Sequence, residues 1–191
     1  DYQRFVRVME IEPPIGFNSI EDFNLVLVEQ LKSIQSDKQH PIEQSLRNGI
    51  QTQGMLFNRA ETEVQLLKGQ LDKAIQQYIT DLPNDLNHPF LKFKQSQYEY
   101  IGAWSVLLNS QGFHKNHFHS EGWVSGPYYV KMPEAIEQQG QGWLKLGQPE
   151  ISKQLITEPD YCVKPQAGTL ILFPSYMWHG TNPFSSSQHR M

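Results

Sequence analysis

The chain has 191 residues, 38% hydrophobic and 12% aromatic, which is the texture of a globular domain large enough to bury a core. A formal net charge of −4 leaves no basic footprint, so neither nucleic acid nor an anionic membrane is expected as a partner. Cys162 is the single cysteine, which excludes an internal disulfide and fits a reducing compartment. No apolar run nears the roughly 20 residues of a membrane span and no secretory leader opens the chain, so a cytoplasmic location is expected. The sequence begins at Asp1 and ends one residue after Arg190, and we expect it to be a fragment of a longer protein.

In chain order, the stretch Phe5 to Ile11 reads as a strand ended by Pro13-Pro14. Ser19 reads as a helix N-cap with Asp22 three residues on, followed by Phe23, Leu27 and Leu31 at four-residue spacing. The polar, glycine-punctuated stretch from Ser45 to Phe57 reads equally as loop or short strands. A second helix carries Val64, Leu67, Leu71, Ile75, Tyr78 and Leu82 on one stripe and stops at Pro83. From Tyr98 the pattern turns to alternation: Tyr98, Tyr100, Trp104, Val106 and Leu108 against Glu99, Ser105 and Asn109 predict a half-buried strand. Val124 to Lys131, Gly142 to Leu146 and Thr169 to Phe173 add further strands between Gly/Pro/Asn turns. We expect a single domain, mainly β with flanking helices. Residues 1–97 would form a mixed part that packs on a β core of residues 98–191.

Seven histidines are present, and five of them (114, 117, 119, 179 and 189) fall in the β half. His40, His88 and His189 read as ordinary core or surface residues. His117 and His119, two apart on an extended segment, point from the same face. His179, sixty residues after His119, follows Pro165-Gln166-Ala167-Gly168 and the apolar run Leu170 to Phe173, and can close a three-imidazole metal site. Imidazoles suit Zn, Cu, Ni or Fe. A closed zinc site would want a fourth ligand, and no cysteine lies near the cluster, whereas three facial ligands leave positions open for oxygen chemistry. Arg190, eleven residues past His179, can hold a carboxylate beside that metal through a bidentate guanidinium fork. Tyr129 shares the parity of Ser125, and either could hydrogen-bond a bound co-substrate; Tyr128 must face the other way. His114 and Asn116 lie beside the cluster and read as supports for it or as solvated loop.

The segments His117-Phe118-His119-Ser120-Glu121-Gly122-Trp123-Val124-Ser125-Gly126-Pro127-Tyr128-Tyr129-Val130 and Pro165 to His179 resemble the 2-oxoglutarate/Fe(II)-dependent oxygenase family. More narrowly they look like its branch with a His-x-His...Ser-Gly-x-Tyr-Tyr-Val pattern. Gln51-Thr52-Gln53, Trp104-Ser105-Val106 and Gly112-Phe113-His114 add to the likeness. The resemblance implies a double-stranded β-helix (jelly-roll) core with Fe(II) and 2-oxoglutarate as cofactors. It implies His117, His119 and His179 as ligands and Arg190 as anchor of the distal carboxylate. The activity implied is oxidative decarboxylation of 2-oxoglutarate coupled to oxidation of a C–H bond, most simply a hydroxylation. In some relatives the module follows helical repeats, so an upstream helical-repeat region is a possible partner. The substrate, small molecule or protein, is not legible.

The departure from the wider superfamily is His119, where a carboxylate is usual. Three neutral imidazoles leave Fe(II) at +2, which dianionic 2-oxoglutarate can neutralise. The other register, His119 with Glu121, would restore a two-histidine, one-carboxylate triad. Two rivals stand outside this reading. A cupin would place a glutamate three or four residues past the second histidine, and Glu121 is only two past His119. A non-catalytic jelly-roll module would keep the metal for structure alone.

Overall fold

In a computed structural model, residues 1–35, 45–138, 140–151 and 157–191 are described, and His40 lies outside them. The chain opens with one helical turn, α1 (Tyr2–Phe5), and strand β1 (Arg7–Glu10). The strand expected from Phe5 therefore starts two residues late. The Phe5 N–H is taken by the Asp1 carbonyl at 2.8 Å, and its ring is buried edge-on against Phe90. Helix α2 (Ile20–Ile34) starts as its sequence demands: Ser19 Oγ accepts the Asp22 N–H at 3.1 Å, and Phe23, Leu27 and Leu31 are buried. Helix α3 (Thr62–Asp81) buries Val64, Leu67, Leu71 and Tyr78 and yields to extended backbone at Leu82. A residue before proline is pushed out of the helical region, and Pro83 has no N–H with which to continue.

The ambiguous stretch between the helices resolves into strand β2 (Leu46–Gln51) and a short 3-10 turn at Leu56–Asn58. The alternation from Tyr98 misled. Residues 98–105 are irregular, and the strand β3 runs over Val106–His114. Side chains hold the irregular part in place: the Tyr98 and Tyr100 hydroxyls both donate to Asp72 Oδ1 of α3, at 2.8 and 2.7 Å. Two motif segments that lie far apart in sequence meet here. The Thr52 N–H donates to the Ser105 carbonyl (3.0 Å), and the Ser105 N–H donates to Thr52 Oγ1 (2.9 Å). Strand β4 is only Val124–Ser125, because Pro127 brings no ladder donor; its carbonyl still accepts from Ile171 N–H at 3.1 Å. Strands β5 (Leu144–Leu146), β6 (Tyr161–Val163), β7 (Thr169–Pro174) and β8 (His179–Thr181) complete the described elements, with β6 absent from the sequence reading.

The strands form two layers. In the first, β2 pairs with β3, and Leu108 of β3 exchanges both backbone bonds with Arg190 (2.8 and 3.1 Å). Met191 then bonds to Lys131, Tyr129 bonds to Thr169, and β7 pairs with β4 and β1. In the second layer, His117 pairs with β8, β8 with β5, and β5 with β6. All six residues of β7 are buried: α3 packs against the strand, while the Phe173 ring meets the His179 ring of the second layer at 4.8 Å. The fold is thus mainly β, with helices laid against the first sheet. Each fully buried leucine or phenylalanine along this interface contributes about 1.5–3 kcal/mol by leaving water.

Candidate metal centre

His117 and His179 are directly opposed residues that exchange both backbone bonds, His117 N–H to the His179 carbonyl at 2.9 Å and the reverse at 2.8 Å. Opposed residues project to the same face of a sheet, and the two rings lie 4.2 Å apart between centroids. Phe118 turns to the other face, against Trp178, and alternation returns His119 to the inner one, where its N–H donates to the Ser175 carbonyl at 3.0 Å. The His119 ring sits 5.0 Å from His117 and 5.1 Å from His179. Each of the three offers a ligand atom, and these atoms all lie within 4.8 Å of one another. Among the described residues no other group of three or more His, Cys, Asp or Glu side chains comes together in this way. Glu121 is exposed and outside it, so the His119–Glu121 register has no counterpart in the fold.

The donor set is chemically prepared for a cation. His117 Nδ1 faces the Lys115 carbonyl at 2.7 Å, and His179 Nδ1 faces the Met177 carbonyl at 2.9 Å. A carbonyl only accepts, so Nδ1 carries the proton in both rings and Nε2 keeps its lone pair for a metal. Burial pushes all three pKa values down, with like-charge repulsion from His117 adding to the effect at His119 and His179, and it brings His179 to about 3. The imidazoles are therefore neutral at physiological pH, which is the form that coordinates.

Arg190 lies 94% out of solvent on the first sheet, with its Nη1 donating to the Gly142 carbonyl at 2.8 Å and its guanidinium 5.0 Å above the Tyr129 ring. It has no carboxylate partner among the described residues. A buried charge without a counter-ion is costly, and a bound anion would compensate it. Tyr129 is equally buried; its hydroxyl neighbours the Arg190 guanidinium, which can only donate to it, and no acceptor for its own proton lies among the described residues. Burial raises the pKa of that hydroxyl, Arg190 opposing, so the group is a neutral O–H able to donate. A buried cation beside a buried neutral donor matches the chemistry of a carboxylate.

Of the six residues expected at the site, the three histidines converge, and Arg190 and Tyr129 lie together. Ser125 stands apart from that pair, its Oγ 2.7 Å from Ser175 Oγ. Tyr128 points away as its parity required, its hydroxyl donating to Asn24 Oδ1 of α2 at 2.8 Å. His88 is structural, its Nδ1 accepting the Phe90 N–H at 3.2 Å. Ser175 and the Gly142 carbonyl were not legible in advance. Both act through backbone atoms or a single hydroxyl, which carry no signature of side-chain type.

Residues 102–191 match the family model described as "Putative 2OG-Fe(II) oxygenase". No curated protein matches the chain. Among solved structures, a prolyl-4-hydroxylase from Pseudomonas putida is similar at a TM-score of 0.59 and 18% identity, over 100% of this chain and 90% of that one. A prolyl hydroxylase from Trichoplax adhaerens, in complex with a hypoxia inducible factor oxygen degradation domain peptide fragment, is similar at 0.57 and 16%, over 98% and 80%. At these identities the likeness is one of fold.

Proposed function

We propose that this chain is a hydroxylase coupling oxidative decarboxylation of 2-oxoglutarate to oxidation of a substrate C–H bond, a reading supported by the match of residues 102–191 to the model of a 2OG-Fe(II) oxygenase family, enzymes that use Fe(II) and 2-oxoglutarate. The observation that carries the proposal is the presence of two features in the interior between the layers. Three neutral imidazoles turn toward a common point, and a buried guanidinium lacks a carboxylate among the described residues. Strand order supports a double-stranded β-helix around them. Along the chain, β3 lies in the first layer, the 117 segment in the second, 124–131 in the first, β5 and β6 in the second, β7 in the first, β8 in the second and 190–191 in the first. Such interleaving brings His117, His119 and His179 to one end of the space between the layers.

In this reading His117, His119 and His179 hold Fe(II), which when bound supplies oxygen activation and its coupling to loss of CO2. Every other contribution belongs to the chain. The Lys115 and Met177 carbonyls fix the tautomers of His117 and His179. Arg190 takes the distal carboxylate of 2-oxoglutarate, and the Tyr129 hydroxyl donates a further bond to it. Phe173 and the other buried side chains beneath the cluster keep water from the reacting groups. Trp104, 43% exposed and 6.3 Å from His119 between ring centroids, marks the side from which a substrate reaches the site. The open side, rather than the sealed Arg190 end, is where an unrelated molecule can enter.

Anaerobic titration of the Fe(II)-loaded protein with 2-oxoglutarate tests this directly. A weak visible charge-transfer band should appear in the wild type. Arg190→Ala should weaken binding about a hundredfold by leaving the carboxylate unpaired, and His179→Ala should abolish the band. Iron demonstrably bound with no band in the wild type would reject 2-oxoglutarate chelation and leave a metal-binding module.

A further inference from the structure

His114 is one of the ionisable side chains beside the cavity to which the proposed mechanism gives no task, and its surroundings indicate one. It ends β3 and is opposed to Leu46, while Leu108 on the same strand is opposed to Arg190. Leu46 and Leu108 share one buried cluster, so His114, Leu46, Leu108 and Arg190 all face the same interior. The His114 ring lies 6.2 Å from that of His117, yet it is not among the three histidines whose ligand atoms converge. It therefore lies near both the His117 ring and the Arg190 guanidinium, whose charge reaches it. Its backbone is fixed, the N–H donating to Thr181 Oγ1 at 2.9 Å, and its Nδ1 lies 3.2 Å from Ser45 Oγ. A serine hydroxyl can donate as well as accept. Donation from the hydroxyl to Nδ1 leaves the ring hydrogen on Nε2, the tautomer in which His114 can donate away from Ser45.

Resting on the oxygenase reading, we propose that His114 is a positioning residue for the 2-oxo acid, its Nε2–H donating to the distal carboxylate that Arg190 binds, with Ser45 holding the ring. Burial, and next to it the Arg190 cation, push the His114 pKa down to about 3, so the ring is a neutral donor that does not add a second positive charge beside Arg190. The carboxylate would then receive a guanidinium fork, the Tyr129 hydroxyl and one imidazole N–H. Oxygen lone pairs that a water-filled pocket would otherwise satisfy are taken by fixed groups. The consequence is selectivity for a 2-oxo acid with a second carboxylate.

Calorimetric titration of the protein loaded with redox-inert Mn(II) reads this without turnover, using 2-oxoglutarate and, as a probe lacking the distal carboxylate, pyruvate. His114→Ala should lose about tenfold or more in affinity for 2-oxoglutarate, the size of a lost hydrogen bond to a charged group. Pyruvate affinity and Mn(II) affinity, the latter followed by electron paramagnetic resonance, should stay at wild-type values. His114→Gln, whose amide nitrogen can take the place of Nε2, should recover most of the loss. If His114→Ala does not fold, His114→Phe, which keeps a ring and loses both nitrogens, carries the same test. Unchanged 2-oxoglutarate affinity, an equal loss for pyruvate, or a loss of Mn(II) would each overturn the assignment. A wild type that holds Mn(II) and binds no 2-oxoglutarate would instead overturn the oxygenase reading, and this inference with it.

Discussion

At the scale of single residues the candidate site is defined by groups whose charge state is set by burial. Arg190 is the extreme case: a guanidinium removed from water, with one carbonyl, one aromatic face and no carboxylate among the described residues. Replacing a buried ion by an apolar side chain of similar volume is generally neutral or stabilising by about 1–4 kcal/mol, because desolvation of the charge is no longer required. Arg190→Met should therefore leave the thermal midpoint of the metal-free protein at or above that of the wild type. The same substitution should remove the rise in midpoint that 2-oxoglutarate produces in the metal-loaded wild type. A differential scanning fluorimetry series with and without 2-oxoglutarate reads both. A large drop in the ligand-free midpoint would mean that Arg190 is primarily a structural residue. Legibility at this scale followed chemistry: histidines and an arginine advertise themselves by type and Tyr129 by its parity, whereas the placing of the Tyr129 ring against the Arg190 guanidinium was visible only in the fold.

Among the elements, the part that sequence patterning misread is the part held by a polar cluster. Residues 98–105 alternate like a strand, yet are irregular, and the Tyr98 and Tyr100 hydroxyls tie the segment to Asp72 of α3. Burial acting alone would raise the Asp72 pKa; Lys68, Tyr100 and Tyr98 overcome it and hold the carboxyl below its usual range. Asp72→Ala strands two tyrosine hydroxyls and should cost about 1–2 kcal/mol in urea denaturation, with the loss confined to this junction. Limited proteolysis should then cut within 94–105 sooner than in the wild type. If cleavage stays as slow as in the wild type, the segment is held by other contacts, such as the Phe57–Tyr100 ring pair at 4.7 Å. Elsewhere the elements were legible wherever local chemistry decides. The Ser19 cap, the stripe of α3 and the stop at Pro83 each depend on neighbours within one or two helical turns. Gly168, at φ +82°, takes the left-handed turn into β7 that the Pro-x-x-Gly spacing suggested. Gly112 is needed for a different reason: a Cβ there would meet the Asn109 and Asn48 carbonyls at 2.7 and 2.8 Å.

For the molecule as a whole, the cavity histidines form part of the join between its two sheets, since His117 and His179 are a strand pair and His114 carries the Thr181 contact. His114 and His179 are held neutral in the fold down to about pH 3 by burial, against 6.5 for an unperturbed imidazole. Between those values the unfolded chain binds more protons than the native one, so stability of the metal-free protein falls as pH is lowered from about 6.5 toward 3. Above about 6.5 these two groups contribute no pH dependence. Denaturation midpoints measured from pH 7.5 to pH 4 should decline in that sense, with about two protons taken up per unfolding event at the low end. His114→Phe should flatten the slope. A flat profile in the wild type would show that the two rings are protonated in the folded state. No helix among the described residues is long and apolar enough to cross a membrane.

Local sequence determined the helices, their caps and stops, the proline interruption after β4 and the identity of every side chain with metal-ligating or carboxylate-binding chemistry. These follow from contacts within a few residues, which spacing reports faithfully. The tertiary structure alone decided three matters. It decided that His117 and not Glu121 comes together with His119 and His179, because His117 is paired with His179 of β8 whereas Glu121 is exposed. It decided that Arg190 is sealed without a carboxylate among the described residues, since its burial depends on the pairing of residues 190–191 with β3 and residues 130–131. And it decided that residues 98–105 are an irregular segment anchored through Tyr98 and Tyr100 to Asp72, a carboxylate twenty-six residues upstream of Tyr98. Long-range pairing has no period in sequence, and this is why it was invisible there.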